Sequence, residues 1–172
     1  MIKKILKKII PEKILKFRRD FLNKRKEKRY SSMQIKDIFK EIYQKQLWTP
    51  ENEKQDNEFY SGIGSRHEEF TKVYIDKIKN FLLSFPSKPS VVDLGCGDFF
   101  IGSRLRKYCN KFIAIDIFEE LIESNKKKFI NKNVEFQTLD ITKDQLPPAD
   151  ICFLRQVIQH FSNDHIQKFL KL

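Results

Sequence analysis

Over the first ninety residues the apolar positions recur with a helical period, and beyond them they cluster into short runs separated by polar stretches. Ile2, Ile5, Leu6, Ile9 and Ile10 share one helical face, and Lys3, Lys4, Lys7 and Lys8 occupy the other. Pro11 interrupts this basic amphipathic helix, and Ile14, Leu15, Phe17, Phe21 and Leu22 continue its apolar stripe. Ser31 and Gln34 form a capping-box start for a helix carrying Ile35, Ile38, Phe39, Ile42 and Tyr43, which should end near Trp48, before Thr49-Pro50. A polar connector follows over 49–65. Ser65 and Glu68 then predict the start of another helix, which turns Phe70, Val73, Tyr74, Ile78, Phe81 and Leu82 inward and stops at Pro86 and Pro89.

From Ser90 onward the period changes. Apolar runs at Val91–Leu94, Phe112–Asp116, Asn133–Thr138 and Asp150–Leu154 alternate with helical segments, the pattern of a parallel sheet built by right-handed crossovers. The expected fold is α/β, a Rossmann-like parallel sheet in three αβα layers with an N-terminal helical extension. Its parts are a basic amphipathic helical tail (1–30), a helical cap and connector (31–89) and a Rossmann-like domain (90–172).

The first run closes on Asp93-Leu94-Gly95-Cys96-Gly97-Asp98, where a buried strand hands over to a tight turn and then to a helix. The two glycines let the backbone turn and approach a ligand with no Cβ in the way. The dinucleotide spacing G-x-G-x-x-G fails, because Phe100 stands at the third glycine position. Asp116 ends the second run about twenty residues after the glycines, where a carboxylate can hold a ribose diol.

Together with Leu139-Asp140-Ile141-Thr142, Leu146-Pro147 and Gln159-His160-Phe161, these segments resemble the class I S-adenosylmethionine-dependent methyltransferases. The series is more closely similar to a group of small bacterial methyltransferases, many of them encoded among surface-glycan assembly genes. The resemblance implies S-adenosyl-L-methionine as cofactor. It places Asp93 near the methionine amino group through water, the Gly95-Cys96-Gly97 turn along the methionine portion, and Asp116 on the ribose hydroxyls. Ile117 would pack on adenine, while Asp140, beside Ile141, would accept from the adenine amino group; Asp140 fits equally the start of a turn. Arg155 or Gln156 would touch cofactor or acceptor, and Phe99 could offer its ring face to the sulfonium. Cys96 also reads as a small packing residue, and Asp93 and Asp98 as helix caps. His160 is a weak candidate for a general base, or else a residue that orients its loop. In the resembled group a small-residue loop such as Ser61-Gly62-Ile63-Gly64-Ser65 covers the cofactor; a flexible turn with a helix cap explains it as well.

That family has seven strands, and only four are found here, so the resemblance implies a domain truncated after the fourth. The fourth strand would then be an apolar edge awaiting a partner chain. The function this implies is methyl transfer to a small-molecule or glycan-intermediate acceptor. The alternative is a truncated or degenerate S-adenosylmethionine-binding protein without activity.

Charge narrows the partners. The formal net charge is +11, yet residues 1–30 hold 13 Lys/Arg against 3 Asp/Glu, leaving 21 against 20 in the remainder. The excess therefore belongs to the tail, which fits an anionic membrane surface or a helix packed on its own domain or a partner. Nucleic acid is disfavoured by the near-neutral remainder and by Arg155-Gln156-Val157-Ile158, where a nucleic-acid methyltransferase would carry an Asn/Asp-Pro-Pro-Tyr/Phe tetrad. Neither a spanning segment nor a signal-peptide core is visible. Cys96, Cys109 and Cys152 have no metal-ligand spacing, so no metal is expected. The location expected is cytoplasmic, peripheral at the inner membrane face.

Overall fold

The computed structural model describes residues 16, 20, 24–25, 28–54, 58–130 and 133–171. The amphipathic helix expected over residues 1–30 lies largely outside the described residues. No helix among those described is long and apolar enough to cross a membrane. The chain divides into two compact units, Met1–Ile38 and Phe39–Leu172.

In the first unit, Ser31 Oγ donates to Lys28 O (2.9 Å) and Ser32 Oγ to Arg29 O (2.8 Å). Ser31 thus completes the turn before it rather than capping the helix after it, a competition that short hydroxyl side chains often enter. Helix α1 spans Ile35–Gln44, shorter than expected because Gln46 adopts a left-handed conformation (φ +48°).

The second unit continues with α2 (Ile63–Arg66), α3 (Glu68–Leu83), β1 (Ser90–Leu94), α4 (Phe100–Leu105), β2 (Lys111–Asp116), α5 (Glu119–Lys128), β3 (Val134–Thr138), β4 (Ile151–Phe153) and α6 (Asn163–Phe169). The four strands among the described residues are parallel, as the alternating pattern predicts, and run in the order β3-β2-β1-β4. Alternate residues feed two cores. Val91, Phe112, Ala114 and Phe153 face a layer containing Leu82, Phe99 and Leu105, while Val92, Leu94, Ile113 and Ile115 face Ile141, Leu146, Val157 and Phe169. Helices therefore cover both faces of a Rossmann-like sheet, with β1 at its centre.

Helix α3 corrects the expected inward face. Phe70, Val73 and Phe81 are exposed (52, 64 and 46%), whereas Thr71, Tyr74, Ile75, Ile78 and Leu82 pack inward. The buried stripe is headed by a polar residue, so the apolar pattern pointed one position away from it. Thr71 tolerates burial because its Oγ1 donates to His67 O (3.0 Å). Ser65 does not cap this helix either: it lies within α2, and the N-cap position is His67, which makes no side-chain capping bond.

Candidate functional site

At the carboxyl end of β1 the chain turns through Gly95 (φ +79°) and Gly97 (φ +56°), backbone states that side chains rarely adopt. A Cβ on Gly95 would stand 2.5 Å from Val157 Cγ2, and one on Gly97 would overlap Ser61 Oγ. The turn is fastened to the end of β2, since the Gly95 and Cys96 N–H groups both donate to Ile115 O (2.9 and 2.8 Å). Asp116 continues that attachment: its Oδ2 accepts from Gly97 N–H (3.1 Å) and its Oδ1 from Phe118 N–H (3.2 Å). Each oxygen keeps a further lone pair, so the carboxylate can still accept from two hydroxyls. From α5, buried Asn125 donates Nδ2–H to Gly97 O (2.7 Å).

Three buried carboxylates, Asp93, Asp98 and Asp116, surround this turn. Asp98 is compensated: its Oδ2 accepts from Ser61 N–H (2.9 Å) and Arg66 Nε (2.7 Å), and its Oδ1 from Phe100 N–H (3.1 Å). Asp93 accepts no hydrogen bond among the described residues. Burial, then the charge of Asp116, raises its pKa to about 7 against the opposing charge of Arg155. Asp116 is pushed to about 6 by burial, despite the N–H groups that favour its charged form. Such a pocket suits a cation, because an ammonium or sulfonium would supply the compensation that the protein leaves out.

The same shifts fix a pH dependence. A carboxyl whose folded pKa lies above its unfolded value contributes stability that is lost as pH rises through the folded pKa. Unfolding free energy, with no ligand present, is therefore expected to decline between about pH 4 and 7 more steeply in the wild type than in Asp93→Asn, by at least ~1 kcal/mol over the window. Denaturant titrations at pH 4, 5.5 and 7 check this; parallel slopes would show that Asp93 ionises freely.

A strap from the amino-terminal side lies against the turn. Ser61 Oγ accepts from Asp98 N–H (2.8 Å) and shares a hydrogen bond with the hydroxyl of Tyr43 (3.1 Å). Tyr43 is buried, stacked on Phe118 at 5.6 Å, and burial beside Asp116 raises its pKa well above the ordinary phenol value. Arg155, after β4, holds the other end: its guanidinium donates to Gly64 O (2.7 Å) and Ser65 Oγ (3.3 Å) and lies 4.9 Å from the Tyr74 ring centroid. Sequence reasoning missed Tyr43, Arg66 and Asn125 as members of this site. Only Ser61 carried a signal, as part of the small-residue loop.

The remaining candidates are placed as follows. Ile117 is half-buried beside Asp116, and Ile141 is buried in the core under the sheet. Asp140 directs its carboxylate into its own turn: Oδ1 accepts from Thr142 N–H (2.9 Å) and Thr142 Oγ1 (2.6 Å), and Oδ2 lies 3.2 Å from Lys143 Nζ. His160 stands against Trp48 (ring centroids 5.1 Å) and Phe39 (6.1 Å), and burial lowers its pKa, favouring neutral imidazole. Phe99 is wholly buried against Phe112, Phe129 and Phe136, so its ring serves the core and has no face free for a sulfonium. Asp98 approaches the expected capping role through Phe100 N–H, although Phe99 occupies the N-cap position. Among the described residues, no group of three or more His, Cys, Asp or Glu is arranged to hold a metal ion.

Residues 91–172 match a family model described as a methyltransferase domain. No curated protein matches the chain. Among solved structures, similarity is found to a SAM-dependent methyltransferase from Leishmania major, at 21% identity and TM-score 0.54, covering 64% of this chain and 48% of that one. The methyltransferase domain of bacterial CtHen1 is similar at 19% identity and TM-score 0.52, covering 59% and 58%. N-methyltransferase NodS from Bradyrhizobium japonicum, solved with S-adenosyl-L-homocysteine, is similar at 15% identity and TM-score 0.50, covering 62% and 58%. The likeness is one of fold, and the chain spans about half the length (48%) of the Leishmania protein.

Proposed function

We propose that this chain, whose residues 91–172 match a methyltransferase-domain model, binds S-adenosyl-L-methionine over its glycine turn and passes the methyl group to a small-molecule or glycan-intermediate acceptor. The observation that carries the proposal is Asp116, a buried carboxylate at the end of β2 that fastens Gly97 and keeps acceptor capacity for a ribose diol. Asp93 faces the cofactor's ammonium group, and Gly95, Cys96 and Gly97 line its methionine portion. Ile117 packs on adenine, and Asp140 Oδ2, shared with Lys143 and next to the buried Ile141, is left to accept from the adenine amino group. Arg155 anchors Gly64 and Ser65 over the site and favours the charged form of Asp93.

When bound, the cofactor would supply a sulfonium methyl whose carbon the acceptor nucleophile attacks in line as the C–S bond breaks and S-adenosyl-L-homocysteine leaves, a reaction in which alignment contributes much of the rate. The protein's part is to hold that geometry and exclude water, for which the Ser61–Ser65 strap is placed. His160, kept neutral beside Trp48, is the candidate to accept a proton where the acceptor is protonated. Calorimetric titration with S-adenosyl-L-homocysteine tests the pocket, and NAD is the control; saturable binding of the former alone is expected, and its absence in folded protein would remove the proposal. A cofactor-binding chain without transfer activity is the alternative, separated from the first by methyl transfer to candidate acceptors.

Two finer parts belong to the same proposal. β4 pairs only with β1 among the described residues, and a further strand or partner chain covers its free edge, where Cys152 is exposed. Residues 1–30, carrying most of the net charge, attach the protein peripherally to the anionic inner membrane face. Sedimentation with anionic liposomes should deplete the chain from the supernatant, whereas neutral liposomes should not. Equal recovery from both would leave the tail to packing.

A further inference from the structure

A cavity of about 280 Å³ opens beside the glycine turn, between α4 and α5 and beneath Glu58 and Phe59. Three cationic side chains line it. Arg66 is held by Asp98 (2.7 Å) and by Phe59 O (3.3 Å). Lys128 Nζ reaches Glu58 at the rim (3.4 Å). Arg104 is different: its guanidinium lies 3.5 Å from the centroid of the Phe100 ring, fixed by a bond from Nη1 to Phe100 O (2.8 Å), and no carboxylate pairs with it among the described residues. Arg66 approaches the same ring, 5.4 Å from its centroid, so two guanidinium groups lie against one aromatic ring, and of the two only Arg66 has a carboxylate partner among the described residues.

This arrangement is preorganised for an anion. A guanidinium laid flat on a ring keeps its outer N–H edge for a bidentate acceptor and loses little side-chain freedom on binding. Lys128 adds a point charge, and the Ser124 hydroxyl, which makes no hydrogen bond in the described structure, is available as a donor. Phe59, Phe100 and Phe129 supply the apolar part of a lining that is otherwise polar, so the ligand it fits carries an apolar or flat body behind its charged group. We infer that this cavity is a second binding site, which takes a phosphomonoester with its phosphate on Arg104 and Lys128 and its body against the phenylalanines. It adjoins the proposed cofactor pocket, since Asp98, Arg66 and Asn125, which brace the glycine turn, also line it.

Phenyl phosphate is the probe, phenol its uncharged counterpart, and the full chain the protein, followed by calorimetry or by amide shifts. Saturable binding of phenyl phosphate but not of phenol is expected, with Kd raised about tenfold by Arg104→Ala and by Lys128→Ala. Both side chains are exposed, so the variants should fold, and S-adenosyl-L-homocysteine titrations of the same variants should match wild type. Those titrations also separate failure here from failure of the cofactor proposal. Absence of saturation would overturn the inference. So would binding that both substitutions leave unchanged, which would assign the phosphate to the basic residues of 1–30, and so would equal affinity for phenol.

Discussion

Asp116→Asn is expected to weaken S-adenosyl-L-homocysteine binding about hundredfold, close to 3 kcal/mol, while the melting temperature at pH 8 stays within a few degrees of wild type. The two readouts move apart because the carboxylate does two things. For the ligand it is a charged acceptor toward two hydroxyls, and an amide offers one acceptor oxygen and a misplaced donor instead. For the ligand-free fold it is a buried charge that its surroundings disfavour, and burial first, with Asp98 adding to it, raises its pKa to about 6. Its amide replacement gives up one of the bonds from Gly97 and Phe118, at roughly 1 kcal/mol, but removes a charge that is costly at pH 8. Calorimetry and thermal denaturation on one preparation read both quantities. Undiminished binding by the folded variant would mean that the ribose is held elsewhere.

The parts of this site that were legible in the sequence are those in which one residue type answers one local demand. Gly95 and Gly97 stand where φ is positive, and Asp116 ends a strand whose register with β1 places it beside them. A local pattern suffices for that. Helix α3 defeated the same kind of reasoning because its buried stripe begins at Thr71, whose polarity is hidden by a bond to His67 that no pattern displays. Arg155 and Ser61 came from opposite sides of the glycine turn, and only the folded chain shows that they hold one strap between them. Asp140 fits two roles by type, and its carboxylate was found bonded within Asp140–Lys143.

Phe99 shows how far a local rule can be displaced by packing, and it leads to the second large effect. The backbone at Phe99 adopts a left-handed state (φ +59°), which a bulky residue takes at a cost of roughly 1–2 kcal/mol. Burial of the whole ring against Phe112, Phe129 and Phe136 offsets that cost, since a fully buried phenylalanine contributes about 1.5–3 kcal/mol. Room for the ring comes from Gly102, inside α4, where a Cβ would overlap the Phe99 ring edge. Helix propensity alone makes Gly102→Ala stabilising by about 1 kcal/mol. Overpacking a closed aromatic cluster costs about 1–3 kcal/mol, and here the ring cannot yield without straining an already left-handed backbone. Net destabilisation of about 1 kcal/mol is therefore expected, lowering the melting temperature by roughly 2–4 °C in a domain of this size. Phe99→Leu removes the overlapped ring edge, so adding Gly102→Ala to that variant should cost at least ~1 kcal/mol less than adding it to wild type. A rise in melting temperature for Gly102→Ala alone would show that propensity outweighs the contact and that Phe99 has space to move.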